Sequence, residues 1–340
     1  PPPSTAPLDL TGRSISDSPS AVLLPPTPAS LRRAADALRR GEPVAFPTET
    51  VYGLGANALD PEAVRRVFSA KGRPGDNPLI VHVTGLQMLR GLVRSVPPAA
   101  RALAKRFWPG PLTLVLPRTR RVPDVVTAGL PTVAVRVPDH PVALALIAAA
   151  GVPVAAPSAN RSGRPSPTRA AHVADDFPGL LVLDGGPAHH GLESTVVALG
   201  DPPRVLRLGA IPFEELRATL PGLVVATRAR ARAESPGMRH RHYAPARPLV
   251  LFRRSRVAAL REALAADPSA LLLCANADAP LFPGTRPVRL GGEPPQIAHG
   301  LFDALRTRRR GSVLLAYALP RRGLLRAVMD RLERAATRVV

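Results

Sequence analysis

Apolar stretches too short to be helices alternate with longer, capped helical stretches along most of the 340 residues, and this alternation limits the fold most. A chain that switches repeatedly between a period of two and a period of 3.6 stacks helices on a sheet. Strands are predicted at Val44–Phe46, Leu79–Val83, Leu112–Leu116, Thr132–Val137, Pro153–Ala156, Leu181–Leu183, Thr195–Leu199 and Arg204–Leu208. Helices are predicted over Leu31–Arg40, Leu86–Val93, Pro98–Phe107, Pro141–Ala150 and Thr168–Asp175. Ser30 caps the first of them, and Gly41 stops it. Asp60-Pro61-Glu62 opens a further helix, with a cap, a proline in the first turn and an acid next, that ends near Ala70. The expected class is α/β with a mixed sheet.

Residues 1–28 are rich in Pro and Ser and are expected to be disordered. The first domain spans 29–222, and residues 223–246 form a linker that carries the basic run Arg228-Ala229-Arg230-Ala231-Arg232. A smaller domain follows over 247–340. There, strands at Pro248–Phe252, Ala270–Cys274 and Ser312–Tyr317 alternate with helices at Val257–Ala266, Gln296–Arg309 and Leu324–Ala336. That rhythm is βαβ, so this unit is expected to be a Rossmann-like parallel sheet.

Composition excludes several classes. No apolar run reaches the roughly 18–20 residues of a membrane span, and no secretory pattern opens the chain. The single Cys274 rules out an intramolecular disulfide framework and fits a reducing cytoplasm. The net charge of +21 invites a nucleic-acid reading. Against it, the arginines are spread through the chain and only 4% of residues are aromatic, which leaves few platforms for bases.

Lys71 is one of only two lysines among 46 Lys+Arg, and it stands in Lys71-Gly72-Arg73-Pro74-Gly75-Asp76-Asn77-Pro78-Leu79. A Lys and an Arg two apart in a Gly/Pro-rich stretch suit phosphate oxygens, or form a solvated basic loop. Gly53-Leu54-Gly55-Ala56-Asn57-Ala58 fits a dinucleotide-binding pattern. However, the next helix begins only at Asp60-Pro61, so the context is wrong. The chain has no phosphate-binding Gly-Lys and no Gly-x-Ser-x-Gly elbow. His189-His190 and His240-x-His242 lack the further ligands of a zinc site, so no resident metal is expected. Any nucleotide site must be dispersed: Thr50, Arg73, Asn77, His82, Thr132 with Arg136 on one strand face, Ser158 to Thr168, Gly191 to Thr195, and Arg207. Each alone is most simply a turn or a solvated charge.

Together these segments resemble the YrdC-like family in its two-domain form. The matching pieces are Phe46 to Leu54, Lys71-Gly72-Arg73-Pro74 with Asn77-Pro78-Leu79, and Ser158-Ala159-Asn160-Arg161-Ser162-Gly163. Ser194-Thr195-Val196-Val197, Arg207 to Ile211, Ser235-Pro236-Gly237-Met238 and His242-Tyr243-Ala244-Pro245 complete the set. The resemblance implies a YrdC-like twisted mixed-sheet domain plus a smaller parallel α/β domain. It implies ATP-dependent synthesis of L-threonylcarbamoyl-AMP from L-threonine, bicarbonate or CO2, and ATP. Pyrophosphate leaves, and the product serves tRNA-modifying threonylcarbamoyl transferase proteins. By matching position, Thr50, His82, Arg136, Ala156 and Ser194 border threonine. Arg73, Asn77, Thr132, Ser158, Ser166, Arg207 and Tyr243 border ATP, with Lys71 at the phosphates; Lys71 and Arg73 are the catalytic candidates. Mg2+ arrives on the ATP phosphates. Ala198, where an acid is usual, and Arg239 depart from the pattern. The alternatives are a non-catalytic RNA-binding module of the same fold, or carbamoyl transfer. The latter calls for Cys-rich zinc motifs that this chain lacks.

Overall fold

The computed structural model describes residues 20–227, 229, 231 and 242–340. The larger sheet has eleven strands among these residues. They are β1 (Val22–Leu24), β2 (Val44–Phe46), β3 (Gly53–Asn57), β4 (Ile80–His82), β5 (Leu112–Pro117) and β6 (Thr132–Arg136). Then come β7 (Val154–Ala155), β8 (Leu181–Leu183), β9 (Thr195–Ala198), β10 (Arg204–Arg207) and β11 (Val224–Val225). Their order is β1-β8-β2-β3-β7-β4-β6-β5-β9-β10-β11, with parallel and antiparallel pairs mixed. The accompanying helices are α1 (Pro28–Arg39), α2 (Pro61–Lys71), α3 (Leu86–Leu89), α4 (Pro98–Phe107), α5 (Asp124–Thr127), α6 (Pro141–Ala150), α7 (Ala170–Asp176) and α8 (Phe213–Thr219).

The second sheet holds β12 (Leu249–Phe252), β13 (Leu271–Cys274), β14 (Val288–Arg289), β15 (Leu314–Tyr317) and β16 (Arg338–Val339). Every pair in it is parallel, in the order β14-β13-β15-β12-β16. Helices α9 (Val257–Ala266), α10 (Pro294–Leu305) and α11 (Leu325–Ala335) make the crossovers that parallel strands require.

Alternation in the first sheet divides its two faces. Val81, Val133, Val135, Leu112, Leu114 and Val197 join the main core with α2 and α4. Ile80, Val115, Ala134, Val196 and Leu206 lie on the other face in a smaller cluster. Because successive side chains point opposite ways, His82 and Arg136 fall on that second face, and register sets them side by side. This is the face that carries the site.

Four expectations change. Residues 20–28, read as disordered, contribute β1, which pairs with β8, and the start of α1. The cap of α1 is Thr27, whose hydroxyl accepts from Ser30 N, because Pro28 takes the first helical position. Residues 47–55 read as a loop from the sequence, yet their glycine-rich end opens β3, a central strand antiparallel to β2 and β7. Its glycines answer a packing need. A Cβ on Gly55 would come within 2.7 Å of Val154 Cγ1 and 2.8 Å of Phe46 Cε1. Gly55→Ala is therefore expected to lower stability by about 1–3 kcal/mol through overpacking. A urea midpoint equal to the parent's would contradict this tight face. The helix expected over Leu86–Val93 is a single turn, since Leu92 and Val93 turn into the core.

Candidate active site

The site begins with α2. Asp60 accepts from Glu62 N and Ala63 N at its start, and Gly72, at φ 58°, ends it in the left-handed region. The chain then turns so that Arg73 reaches a cavity that is partly open to solvent. Arg73 donates through Nε to Asn77 O (3.2 Å) and through Nη2 to Pro78 O (2.9 Å). Burial, then the nearby Arg207, lowers its guanidinium to about 9.

One end of the cavity is dense in hydroxyls around a buried guanidinium. Arg136 Nη1 donates to Thr50 Oγ1 (2.9 Å) and Nε to Gly110 O (3.2 Å), while Nη2 lies 2.6 Å from Glu49. Both partners of that ion pair are about 5% exposed or less. Thr48 Oγ1 sits 2.8 Å from Thr50 Oγ1, and Thr113 Oγ1 sits 2.7 Å from Ser194 Oγ. Arg207 donates to Ser194 O (3.1 and 2.9 Å) and to Ser194 Oγ (3.0 Å). Thr50, His82, Arg136, Ala156 and Ser194 all line this space, as do Arg73, Ser158, Ser166, Arg207 and Tyr243.

Three sequence-predicted residues do not line it. Lys71 turns its amine to Ser158 O (2.5 Å) and Asn160 O, so it props the Ser158–Ser162 loop from beneath. Asn77 is buried behind Arg73. Thr132 shares Arg136's face but lies four residues away, about 13 Å along the strand.

Sequence reading had not assigned Thr48, Arg164, Glu193 and His242, all of which border the cavity. Glu193 Oε1 accepts from Ser166 Oγ (2.7 Å), and Oε2 accepts from Arg331 in α11. Arg331 had a readable signal, for it stands within the apolar stripe of its helix, between Val328 and Leu332. The linker motif Ser235-Pro236-Gly237-Met238 and most of 228–241 lie outside the described residues. From His242 onward the chain is placed. Tyr243 adopts φ 68° and stacks on Phe302 at 5.3 Å, and Ala244 N donates to Gly163 O (2.7 Å). Burial, then Glu193, raises the Tyr243 phenol to about 12, so the ring stays neutral.

Arg73, Arg136, Arg164 and Arg207 against Glu193 make the lining strongly cationic, which suits an anion such as a polyphosphate. His82 Nδ1 and His242 Nε2 are buried polar atoms with no hydrogen-bond partner among the described residues. Such atoms in a cavity wall are available to a ligand. No cluster of three His, Cys, Asp or Glu able to hold a metal occurs among the described residues. Both oxygens of Glu193 are already engaged. The described residues of this lining therefore supply no set of carboxylate or imidazole ligands for a resident cation.

Burial, then Arg136, pushes the His82 imidazole down to about 3. The unfolded chain takes up this proton near pH 6.5, whereas the folded one does not until about 3. Stability therefore falls as pH drops through that window, by about 1.4 kcal/mol per unit. His82→Gln is expected to flatten that slope between pH 6.5 and 4, followed by denaturant midpoints. An unaltered slope would mean that His82 is not held neutral.

Comparison with known proteins agrees with this architecture. Residues 36–209 match the Sua5/YciO/YrdC family model, described as telomere recombination. Residues 211–337 match the C-terminal domain of threonylcarbamoyl-AMP synthase. The chain is 46% identical to the threonylcarbamoyl-AMP synthase of Pyrococcus abyssi, over 90% of this chain and 94% of that one. It is 44% identical to the Bacillus subtilis enzyme of the same name, over 90% and 92%. The crystal structure of P. abyssi Sua5 complexed with L-threonine superposes with a TM-score of 0.86 at 42% identity, covering 94% of this chain and 98% of that one. With the family model matched over more than half its length and the matching C-terminal domain behind it, the chain belongs to the Sua5/YciO/YrdC family in its two-domain form.

Proposed function

We propose that this chain is an L-threonylcarbamoyl-AMP synthase, a nucleotidyltransferase that joins L-threonine, bicarbonate or CO2, and ATP. The observation that carries the reading is one partly open cavity with a buried, hydroxyl-lined Arg136 at one end and Arg73 and the buried Arg207 beside it. Support comes from the relatives named as synthases and from the related structure with L-threonine bound.

The threonine carboxylate pairs with Arg136, and Thr50, His82 and Ser194 surround the rest of the amino acid. Its neutral amine adds to CO2, losing a proton, to give a carbamate. A carbamate oxygen attacks the α-phosphorus of ATP. The bond from that phosphorus to the bridging oxygen breaks, and pyrophosphate leaves with the electron pair. Such transfer asks chiefly for positioning and charge neutralisation, and no covalent nucleophile is required. Arg73 and Arg207 supply that charge, and Mg2+ enters with ATP. Ser158 and Ser166 bind along the nucleotide and Asn77 acts through Arg73, while Thr132 stands outside the lining. The product passes to tRNA-modifying threonylcarbamoyl transferase proteins in the cytoplasm. No helix among the described residues is long and apolar enough to cross a membrane. Direct contact with tRNA is secondary in this reading, because Arg136 and Arg207 are buried in the cavity wall rather than displayed.

Pyrophosphate release from ATP should require both threonine and bicarbonate, and release that ignores threonine would sink the assignment. Arg73→Ala should weaken ATP binding at least tenfold, whereas Arg32→Ala, on an exposed stretch of α1, should leave it within twofold. Equal effects of the two would remove Arg73 from the site.

A further inference from the structure

An arginine is the side chain least expected in the apolar stripe of a helix, yet Arg331 of α11 is fully buried among Leu325, Val328, Met329 and Leu332. A buried guanidinium persists only where it is paired and hydrogen-bonded. Its partner lies across the domain junction. Nε and Nη2 both donate to Glu193 Oε2 at 3.1 Å, and Nη1 donates to Leu208 O at 2.6 Å. Glu193 in turn uses its other oxygen to accept from Ser166 Oγ at 2.7 Å. A continuous chain of bonds therefore runs from the second domain to a hydroxyl in the cavity wall.

The same segment is held from several sides. Gly191 adopts φ +67°, and a Cβ there would lie 2.5 Å from His299 Cα and O in α10. Ala210 N donates to Glu193 O at 3.0 Å. A Cβ on Gly209 would come within 2.4 Å of Glu193 O and Thr195 N, so backbone packs directly on backbone. The Tyr243 ring stands 5.8 Å from the Arg331 guanidinium and stacks on Phe302 of α10. The wall at 191–195 is thus assembled by both domains.

We infer that Arg331 is a positioning residue through which the C-terminal domain sets the nucleotide side of the cavity, holding Glu193 so that Ser166 and Arg207 stay directed at ATP. This rests on the synthase reading above. Burial acts to raise the Glu193 carboxyl, but Arg331, Arg207 and the Ser166 hydroxyl together hold it below its ordinary value. Without Arg331, the nearest cation left to that carboxylate is Arg207, now bonded to Ser194. Turning Arg207 toward Glu193 removes it from the triphosphate and leaves the Ser166 hydroxyl unanchored. The threonine end shares only Ser194 with that wall and otherwise rests on Arg136, Thr50 and His82, carried by β6, the loop after β2 and β4.

The full chain is tested as Arg331→Met, which keeps the apolar stem, Arg331→Lys, which keeps the charge, and Glu193→Gln. Calorimetry measures ATP with Mg2+ and threonine separately, beside thermal midpoints. Arg331→Met should weaken ATP at least tenfold and threonine less than threefold, and Arg331→Lys should recover most of that loss. Equal weakening of both ligands, or a Lys variant no better than Met, marks a structural role and overturns the inference. If Arg331→Met does not fold, Glu193→Gln decides. At least threefold weaker ATP binding supports the inference, and unchanged ATP binding overturns it. Failure of the unaltered protein to bind ATP would instead defeat the synthase reading. Normal binding by the parent and by folded Arg331→Met defeats this inference alone.

Discussion

Arg136→Ala is expected to lower kcat/KM for threonine by about 10³-fold, the largest loss of any single change in the cavity. Two effects combine. The substrate carboxylate loses its partner, and Glu49 is left as a buried carboxylate without the guanidinium 2.6 Å away. Removing one member of a buried ion pair costs about 3–5 kcal/mol, and 1.4 kcal/mol is a factor of ten. The two effects can be separated. Arg136→Ala combined with Glu49→Gln should regain folding stability, because the orphaned charge is gone, yet regain no activity. Arg136→Lys keeps a charge but cannot reach Thr50 Oγ1, Gly110 O and Glu49 together, since those bonds use the planar fork. It should lose about 10²-fold. A threonine KM within threefold of the parent in folded Arg136→Ala would remove Arg136 from the carboxylate site.

Sequence reading recovered what local periodicity encodes. The helix Pro141–Ala150 was placed at its observed bounds, and the parallel rhythm of the C-terminal unit was recognised. It failed where tertiary packing overrides local signals. Residues 47–55 resembled a loop because glycine usually marks turns, whereas Gly53 and Gly55 admit Phe46 and Val154 against a central strand. Residues 20–28 resembled a disordered lead because Val22–Leu24 finds its partner in β8, far along the chain. The site followed the same division. Thr50 and Ser194 lie in the matching segments, strand alternation puts Arg136 on one face with Thr132, and Thr50, Arg136 and Ser194 line the cavity. Glu193 and Arg331 are separated by 138 positions, and only the domain junction brings them together.

Lys71 shows why a conspicuous residue type does not by itself reveal its task. Its ammonium does not face the cavity but donates to Ser158 O and Asn160 O, while its own carbonyl accepts from Ser162 N. Burial, then Arg73, holds it well below its ordinary range, which is a cost that the two carbonyl bonds must offset. Lys71→Met is therefore expected to destabilise the protein by about 2–4 kcal/mol, because two buried acceptors are left unmet. It should also lower kcat/KM by about 10²-fold, since Ser158 and Asn160 lose the support that sets their loop. A direct phosphate contact predicts another pattern: removing an unpaired buried charge raises or preserves stability, and only the ATP kinetics suffer. Urea midpoints measured beside KM for ATP separate the two. Unchanged stability with a selective rise in KM for ATP would return Lys71 to the phosphates. A joint loss of stability and turnover would establish it as the prop beneath the nucleotide loop.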